Sequence, residues 1–249
     1  MTSSHDPWSF LKRFTHARIA LGRAGHGTPT NEVLSFRLAH SKARDSVWSE
    51  VDFTDMREYL QTSHLNFVDV QSRCRSKQEF LLNPDLGRSL NTSSDGALRQ
   101  KKTDQCDLIL VIADGLSAHA VHENGKPFVE HFSQLLKKSG LSLGPVVLAK
   151  YARVGLGDNI GEALGAKSVV MLIGERPGLA SAESLSIYYT FEPRSENTDA
   201  CRNCISNIHA SGISPEGAAI MADHLVKTSF NRQLSGVDLK IEYPSLAKK

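Results

Sequence analysis

Gly155, Gly157 and Gly161 stand in V-G-L-G-D-N-I-G-E-A-L-G, after an apolar stretch and at the start of an amphipathic one. Glycines there let a pyrophosphate approach the backbone at a helix N-terminus, and Glu175, about twenty residues after Gly155, stands where a ribose-binding acid belongs. That arrangement describes an NAD(P)-binding oxidoreductase, although the G-x-G-x-x-x-G spacing is not the usual one and the motif follows the second apolar strand rather than the first. The competing reading is a glycine-rich turn without chemistry. Cys201 and Cys204 form C-x-x-C, the spacing of a redox pair or of half a zinc site, but no second ligand pair stands at suitable spacing. His119 and His122 are spaced to share a metal and equally to serve as ordinary packing residues. The segment Gly174-Glu175-Arg176-Pro177-Gly178 ends an apolar run in a sharp polar turn. No G-x-S-x-G elbow, H-E-x-x-H helix or phosphate-binding G-x-x-x-x-G-K loop occurs, so no complete catalytic constellation is present. That points to a binding subunit or half of an enzyme.

The elements that must carry these residues divide the chain in two. Residues 1–92 read as a smaller, mainly helical N-terminal domain: a helix over W-S-F-L-K-R-F-T-H-A-R-I-A-L-G-R-A-G (8–25), ending at Gly22 and Gly25, then another opened by Thr28 as N-cap with Pro29 at its first position. H-L-N-F-V-D-V admits a strand, and N-P-D-L-G-R-S-L a turn into a short helix. Residues 93–249 change character. L-I-L-V-I-A, P-V-V-L-A-K and S-V-V-M-L-I-G are continuous apolar runs, the mark of strands buried on both faces of a parallel sheet. Helical patterns separate them, S-L-S-I-Y-Y-T-F alternates as a fourth strand, and Ser214-Pro215 opens a last helix. The expected fold is α/β, a Rossmann-like doubly wound, mostly parallel sheet. In such sheets ligands sit beyond the carboxyl ends of the strands, which singles out Asp114-Gly115, Val154-Gly155 and Gly174-Glu175. The polar stretch at 90–105 is expected to join the two halves.

Composition narrows the partners. Lys and Arg total 29 against 27 Asp and Glu, a net charge of +2, which gives no footprint for nucleic acid or an anionic membrane. No apolar run spans a bilayer, and M-T-S-S-H-D-P-W-S-F-L-K-R-F has no signal-peptide core. The four cysteines are expected as reduced thiols in a cytoplasmic protein.

Longer stretches carry a family resemblance. G-E-R-P-G-L-A-S-A-E-S-L-S (174–186), C-I-S-N-I-H-A-S-G-I-S-P-E-G-A-A (204–219), D-S-V-W-S-E-V (45–51), N-P-D-L-G-R-S-L (83–90) and A-D-G-L-S-A-H-A-V (113–121) resemble the small subunit of ethanolamine ammonia-lyase. The resemblance implies an adenosylcobalamin-dependent radical enzyme that converts ethanolamine to acetaldehyde and ammonia. Its large subunit holds substrate; its small subunit binds the lower face and nucleotide tail of cobalamin, inside a hetero-oligomer of large–small pairs. The residues that match the family's cobalamin contacts are Val154, Glu175 and Cys204, with Asp114, Ser117 and Arg176 as candidates for the same shell; no metal ligand and no catalytic residue is assigned to this chain. Val154 and Glu175 are expected at neighbouring strand ends, and Gly174 and Gly178 are expected to admit a large ligand to the backbone. Base-on cobalamin is expected, because the D-x-H-x-x-G pattern of base-off domains is absent: His119 stands five positions after Asp114. The family keeps D-x-I-G-E, here Asp158 to Glu162, without needing Gly155 and Gly157, and keeps Cys204 without Cys201. Many relatives carry a longer N-terminal extension than this chain, which leaves packaging in a bacterial microcompartment open.

Overall fold

The structure, a computed structural model, describes residues 6–15, 17–102 and 106–243. Residues 103–105 of the expected joining stretch lie outside them. Among the described residues there are seven α-helices and one six-stranded sheet. In chain order these are α1 (Thr30–Trp48), α2 (Thr54–Thr62), β1 (Phe67–Gln71), α3 (Lys77–Leu82), α4 (Thr92–Arg99), β2 (Leu108–Ala113), α5 (Ala118–Ser139), β3 (Val146–Lys150), α6 (Leu156–Leu164), β4 (Ser168–Gly174), β5 (Leu185–Phe191), β6 (Arg202–Ile208) and α7 (Pro215–Arg232).

The sheet runs β1-β3-β2-β4-β5-β6. The apolar runs β2 and β4 are its centre and are buried on both faces, as continuous hydrophobicity requires. Alternation divides β2 between two cores. Leu108, Leu110 and Ile112 face a core shared with α2, α5 and α7. Ile109, Val111 and Ala113 face a second core closed by α4 and α6. Helices thus cover both faces of a mixed α/β sheet.

The expectation of a mostly parallel sheet needs correction. The β1–β3, β3–β2 and β2–β4 pairs are parallel, but β4–β5 and β5–β6 are antiparallel. A parallel return needs a crossover of a dozen or more residues, usually a helix. Residues 175–184 contain none, so β5 turns back beside β4. Strand β6, unread in the sequence, then pairs with β5. Edge strand β1 comes from the first 92 residues and pairs along its full length with β3, while Val51, Phe53, Met56 and Leu60 join the core under α5 and α7.

The N-terminal segment also departs from expectation. W-S-F-L-K-R-F forms only a short 3-10 helix at Ser9–Arg13, with Phe10 and Phe14 exposed, because a helix with no face to bury gains too little from packing. Helix α1 begins at Thr30 with Pro29 as N-cap, one residue later than predicted. No helix among the described residues is long and apolar enough to cross a membrane.

Candidate functional site

The four parallel strands end at one edge, and most of that edge is closed. Above β2 and β3, the α3 region places Phe80 and Leu86 against Cys74, Leu116 and Tyr151. Beneath them the buried carboxylate of Asp114 accepts from the backbone N–H groups of Gly115 (2.8 Å), Tyr151 (2.8 Å) and Ala152 (2.9 Å). Burial pushes this carboxyl up, while Lys77 and the three donors oppose the shift. The buried Lys77 ammonium itself donates to the Gly115 carbonyl at 3.3 Å. Asp114 therefore fixes the turn at which β3 ends, with Tyr151 at positive φ, and is occupied by backbone. Ser117 is likewise spent. Its hydroxyl caps α5 through Ala120 N–H, donates to the Ala182 carbonyl and meets the Ser46 hydroxyl of α1 at 2.7 Å. Neither side chain is offered to a ligand. Arg176 is exposed on the loop that follows.

The glycines of the polar turn have different reasons. A Cβ on Gly174 would lie 2.1 Å from the Ser117 carbonyl oxygen and 2.5 Å from that of Asp114. Gly174 is required by the approach of the β2–α5 turn, so the expected ligand approach does not explain it. At Gly178 the nearest atom to such a Cβ is the Ser181 carbonyl oxygen at 3.4 Å, an uncrowded position.

The edge stays open at β4, β5 and β6. Alternation along β4 sends Glu175 to the side of Val169, Met171 and Ile173, the face that α6 covers only in part. Met171 pairs with Tyr188 and Tyr188 with Cys204, so the three stand abreast across three strands. The Tyr188 hydroxyl donates to Glu175 Oε1 at 3.3 Å. Burial pushes this hydroxyl well up, reinforced by Cys204 and Glu175, so it is a neutral donor. Burial likewise pushes the Cys204 thiol up, although the residue as a whole is exposed. Glu175 and Cys204, distant in sequence, are thus brought together through Tyr188. Val154 is placed differently. It lies in the turn between β3 and α6, half-buried against the same core. Strand β2 separates β3 from β4, so Val154 and Glu175 share the edge and the face of the sheet but do not stand at neighbouring strand ends as the sequence suggested.

Comparison with known proteins identifies the family. Residues 5–240 match the family model for the ethanolamine ammonia-lyase light chain. The chain is similar to the ethanolamine ammonia-lyase small subunit of Pseudomonas putida strain W619, 45% identical over 95% of this chain and 88% of that one. It is similar to those of Pseudomonas fluorescens strain Pf0-1 (44% over 95% and 88%) and Xanthomonas campestris pv. campestris strain B100 (44% over 97% and 90%). This chain belongs to the ethanolamine ammonia-lyase small-subunit family. It is a lyase subunit.

Membership accounts for the patterns that invited other chemistry. In this chain the glycine run packs α6 rather than cradling a pyrophosphate. A Cβ on Gly161 would lie 2.4 Å from Pro193 and 2.5 Å from Val169; one on Gly155 would meet the Arg88 side chain at 3.2 Å. Glu175, the supposed ribose acid, stands beyond β2 from the strand that carries these glycines. The NAD(P) reading therefore fails on both counts. Gly157 gives the mildest test. A Cβ there meets the Met171 sulfur at 3.0 Å, the flexible part of that side chain, while alanine gains up to about 1 kcal/mol of helix propensity over glycine. Gly157→Ala is expected to change stability by less than about 1 kcal/mol in a urea titration, where a phosphate-cradling glycine would lose its function.

C-x-x-C spans the end of a 3-10 turn and the start of β6, not a helix N-terminus, and all four cysteines are free. With its thiol pushed up, Cys204 is a protonated packing residue rather than a nucleophile. His122 Nε2 accepts from Asp52 N–H at 3.0 Å, which commits that ring to the start of α2. Among the described residues no group of three or more His, Cys, Asp or Glu side chains could hold a metal.

Proposed function

We propose that this chain binds adenosylcobalamin as the small subunit of ethanolamine ammonia-lyase, paired with a large subunit that holds ethanolamine. The observation that carries the reading is the convergence of Glu175 and Cys204, from separate stretches of the family signature, on one open face at the carboxyl edge. Cobalamin presents many amide N–H donors around its corrin. A half-exposed carboxylate matches that donor set, and the apolar thiol of Cys204 and side chain of Val154 suit its periphery. When bound, cobalamin supplies radical chemistry for converting ethanolamine to acetaldehyde and ammonia; the protein contributes binding and orientation. In this chain Glu175 accepts from the ligand's amides, Cys204 packs beside it, and Val154 supports it from the far side of β2. All three lie within residues 93–249, the part we assign to the cofactor, whose parallel strands with helices on both faces make it Rossmann-like on this reading. Base-on binding is the reading supported by the absence of a D-x-H-x-x-G pattern, and His209, one of the histidines at this edge, agrees with it. His209 accepts from Ser211 N–H at Nδ1 (3.2 Å), and its Nε2 lies 2.7 Å from the Asn207 carbonyl oxygen atom of the side chain, so both ring nitrogens are engaged within its own turn.

The test uses the assembled large–small complex and cyanocobalamin titrated by absorbance. Glu175→Gln keeps size but replaces one carboxylate oxygen by a donor, and hydrogen bonds to a charged group contribute roughly 1.5–3 kcal/mol. Affinity is expected to fall about tenfold or more. Unchanged affinity with normal assembly would remove the basis for this site.

A further inference from the structure

The geometry points to Tyr188 as the positioning residue that holds Glu175 and Cys204 together as one wall of the cobalamin site. The inference rests on the proposed site and adds a residue that the family signature does not single out. Strand β5 lies between β4 and β6, and Tyr188 stands directly opposite Met171 on one side and Cys204 on the other. Directly opposed residues on one face of an antiparallel pair have their Cβ atoms about 4.5–5.5 Å apart. Tyr188 therefore lies directly beside Cys204, and its hydroxyl extends along the strands to Glu175 Oε1 at 3.3 Å. Its ring packs against the core under α6, which fixes the hydroxyl, and that hydroxyl donates to Glu175 Oε1. The neighbouring Tyr189 points to the opposite face, where its buried hydroxyl donates to Ser229 at 2.8 Å, so the two adjacent tyrosines have different duties.

The physical consequence is preorganisation. A glutamate on an open edge rotates about three side-chain bonds, and a ligand that needs its carboxylate must stop that rotation. A neutral donor held on Oε1 orders the group before the ligand arrives and leaves Oε2 as the acceptor for the ligand. Binding then forfeits less entropy, a gain expected at about five- to tenfold in affinity. The effect passes through Glu175, which separates it from a packing role.

A double-mutant cycle on the assembled complex, read as cyanocobalamin affinity by absorbance, tests this. Tyr188→Phe keeps the ring and removes only the hydroxyl, so assembly with the large subunit, checked by size-exclusion chromatography, is expected at the wild-type level. Affinity is expected to fall about five- to tenfold in the Glu175 background and less than about twofold in a Glu175→Ala background, where no acceptor is left for the hydroxyl to orient. Three results would overturn the assignment: equal losses in both backgrounds, no loss in either while Glu175→Gln alone weakens binding, or failure of Tyr188→Phe to assemble, which would make the hydroxyl structural. If Glu175→Gln itself leaves affinity unchanged, the site reading and this inference fall together, a result distinct from the other three.

Discussion

Asp114→Ala is expected to destabilise the chain by about 3–5 kcal/mol, because it strips the acceptor from three backbone N–H groups at once. A buried donor left without a partner loses about 1–3 kcal/mol, and among the described residues the Tyr151 and Ala152 N–H groups have no other acceptor. Lys77 suffers as well. It is a buried ammonium whose nearest opposite charges are Asp114 and Glu50, and burial already pushes its pKa down. Asp114→Asn retains one oxygen acceptor in place of two and is expected to lose roughly half as much. Urea unfolding of the three chains measures this ordering. A loss below about 1 kcal/mol for Asp114→Ala would mean that water or a shifted side chain replaces the carboxylate. Cobalamin affinity of the assembled Asp114→Ala complex is also expected to fall, since the turn that Asp114 fixes leads directly into Val154 and α6.

How far the sequence disclosed this arrangement depends on burial. Strands β2, β3 and β4 are almost wholly enclosed, so every residue must be apolar and the runs are plain to read. Strand β6 is different. It carries polar residues, Arg202 and Ile205 are buried on opposite faces, and a register shift between the Leu185 and Ile187 pairs brings Ile208 to the same core as Ile205. A bulged edge strand therefore shows neither a period of two nor a continuous run. The sheet order was equally hidden. Only the tertiary crossover puts β2 between β3 and β4, and this separates Val154 from Glu175. The candidate contacts were legible through long family-specific stretches rather than through local chemistry. Tyr188 was not, although a signal existed: in an alternating strand, adjacent tyrosines must face opposite sides, so one of the pair had to stand on the face of Glu175.

Arg202→Ala should be nearly as damaging as the loss of Asp114, for an opposite electrostatic reason. The guanidinium, 3% exposed, pairs with the carboxylate of Asp158, 2% exposed, in α6. It donates from Nε at 3.1 Å and from its second terminal nitrogen to the same oxygen, and reaches Asp199 at 2.5 Å and the Asn197 carbonyl at 3.2 Å. Burial pushes Asp158 up and Arg202 opposes it. Removing the arginine strands a carboxylate in the interior, a loss of about 3–5 kcal/mol. The pair belongs to a larger clamp. Glu162, one turn further along α6, accepts from Ser195 N–H at 2.9 Å and from the Ser195 hydroxyl, and Gly161 lets Pro193 lie directly on the helix. The acids and glycine of D-x-I-G-E thus hold α6 against the connection between β5 and β6, which is a structural reason for the motif that owes nothing to a nucleotide. Cys204 lies two residues beyond Arg202 on the same face, so slackening this clamp moves β6 relative to Tyr188 and Glu175. A combined Arg202→Met and Asp158→Leu chain separates the two consequences, since replacing a buried ion pair by apolar side chains is often neutral in stability. Arg202→Ala is expected to lose both stability and cobalamin affinity in the assembled complex. The combined variant is expected to recover most of the stability, and affinity with it if the clamp acts only by holding β6 in place. Recovery of stability without affinity would instead show that the guanidinium itself contributes to the site.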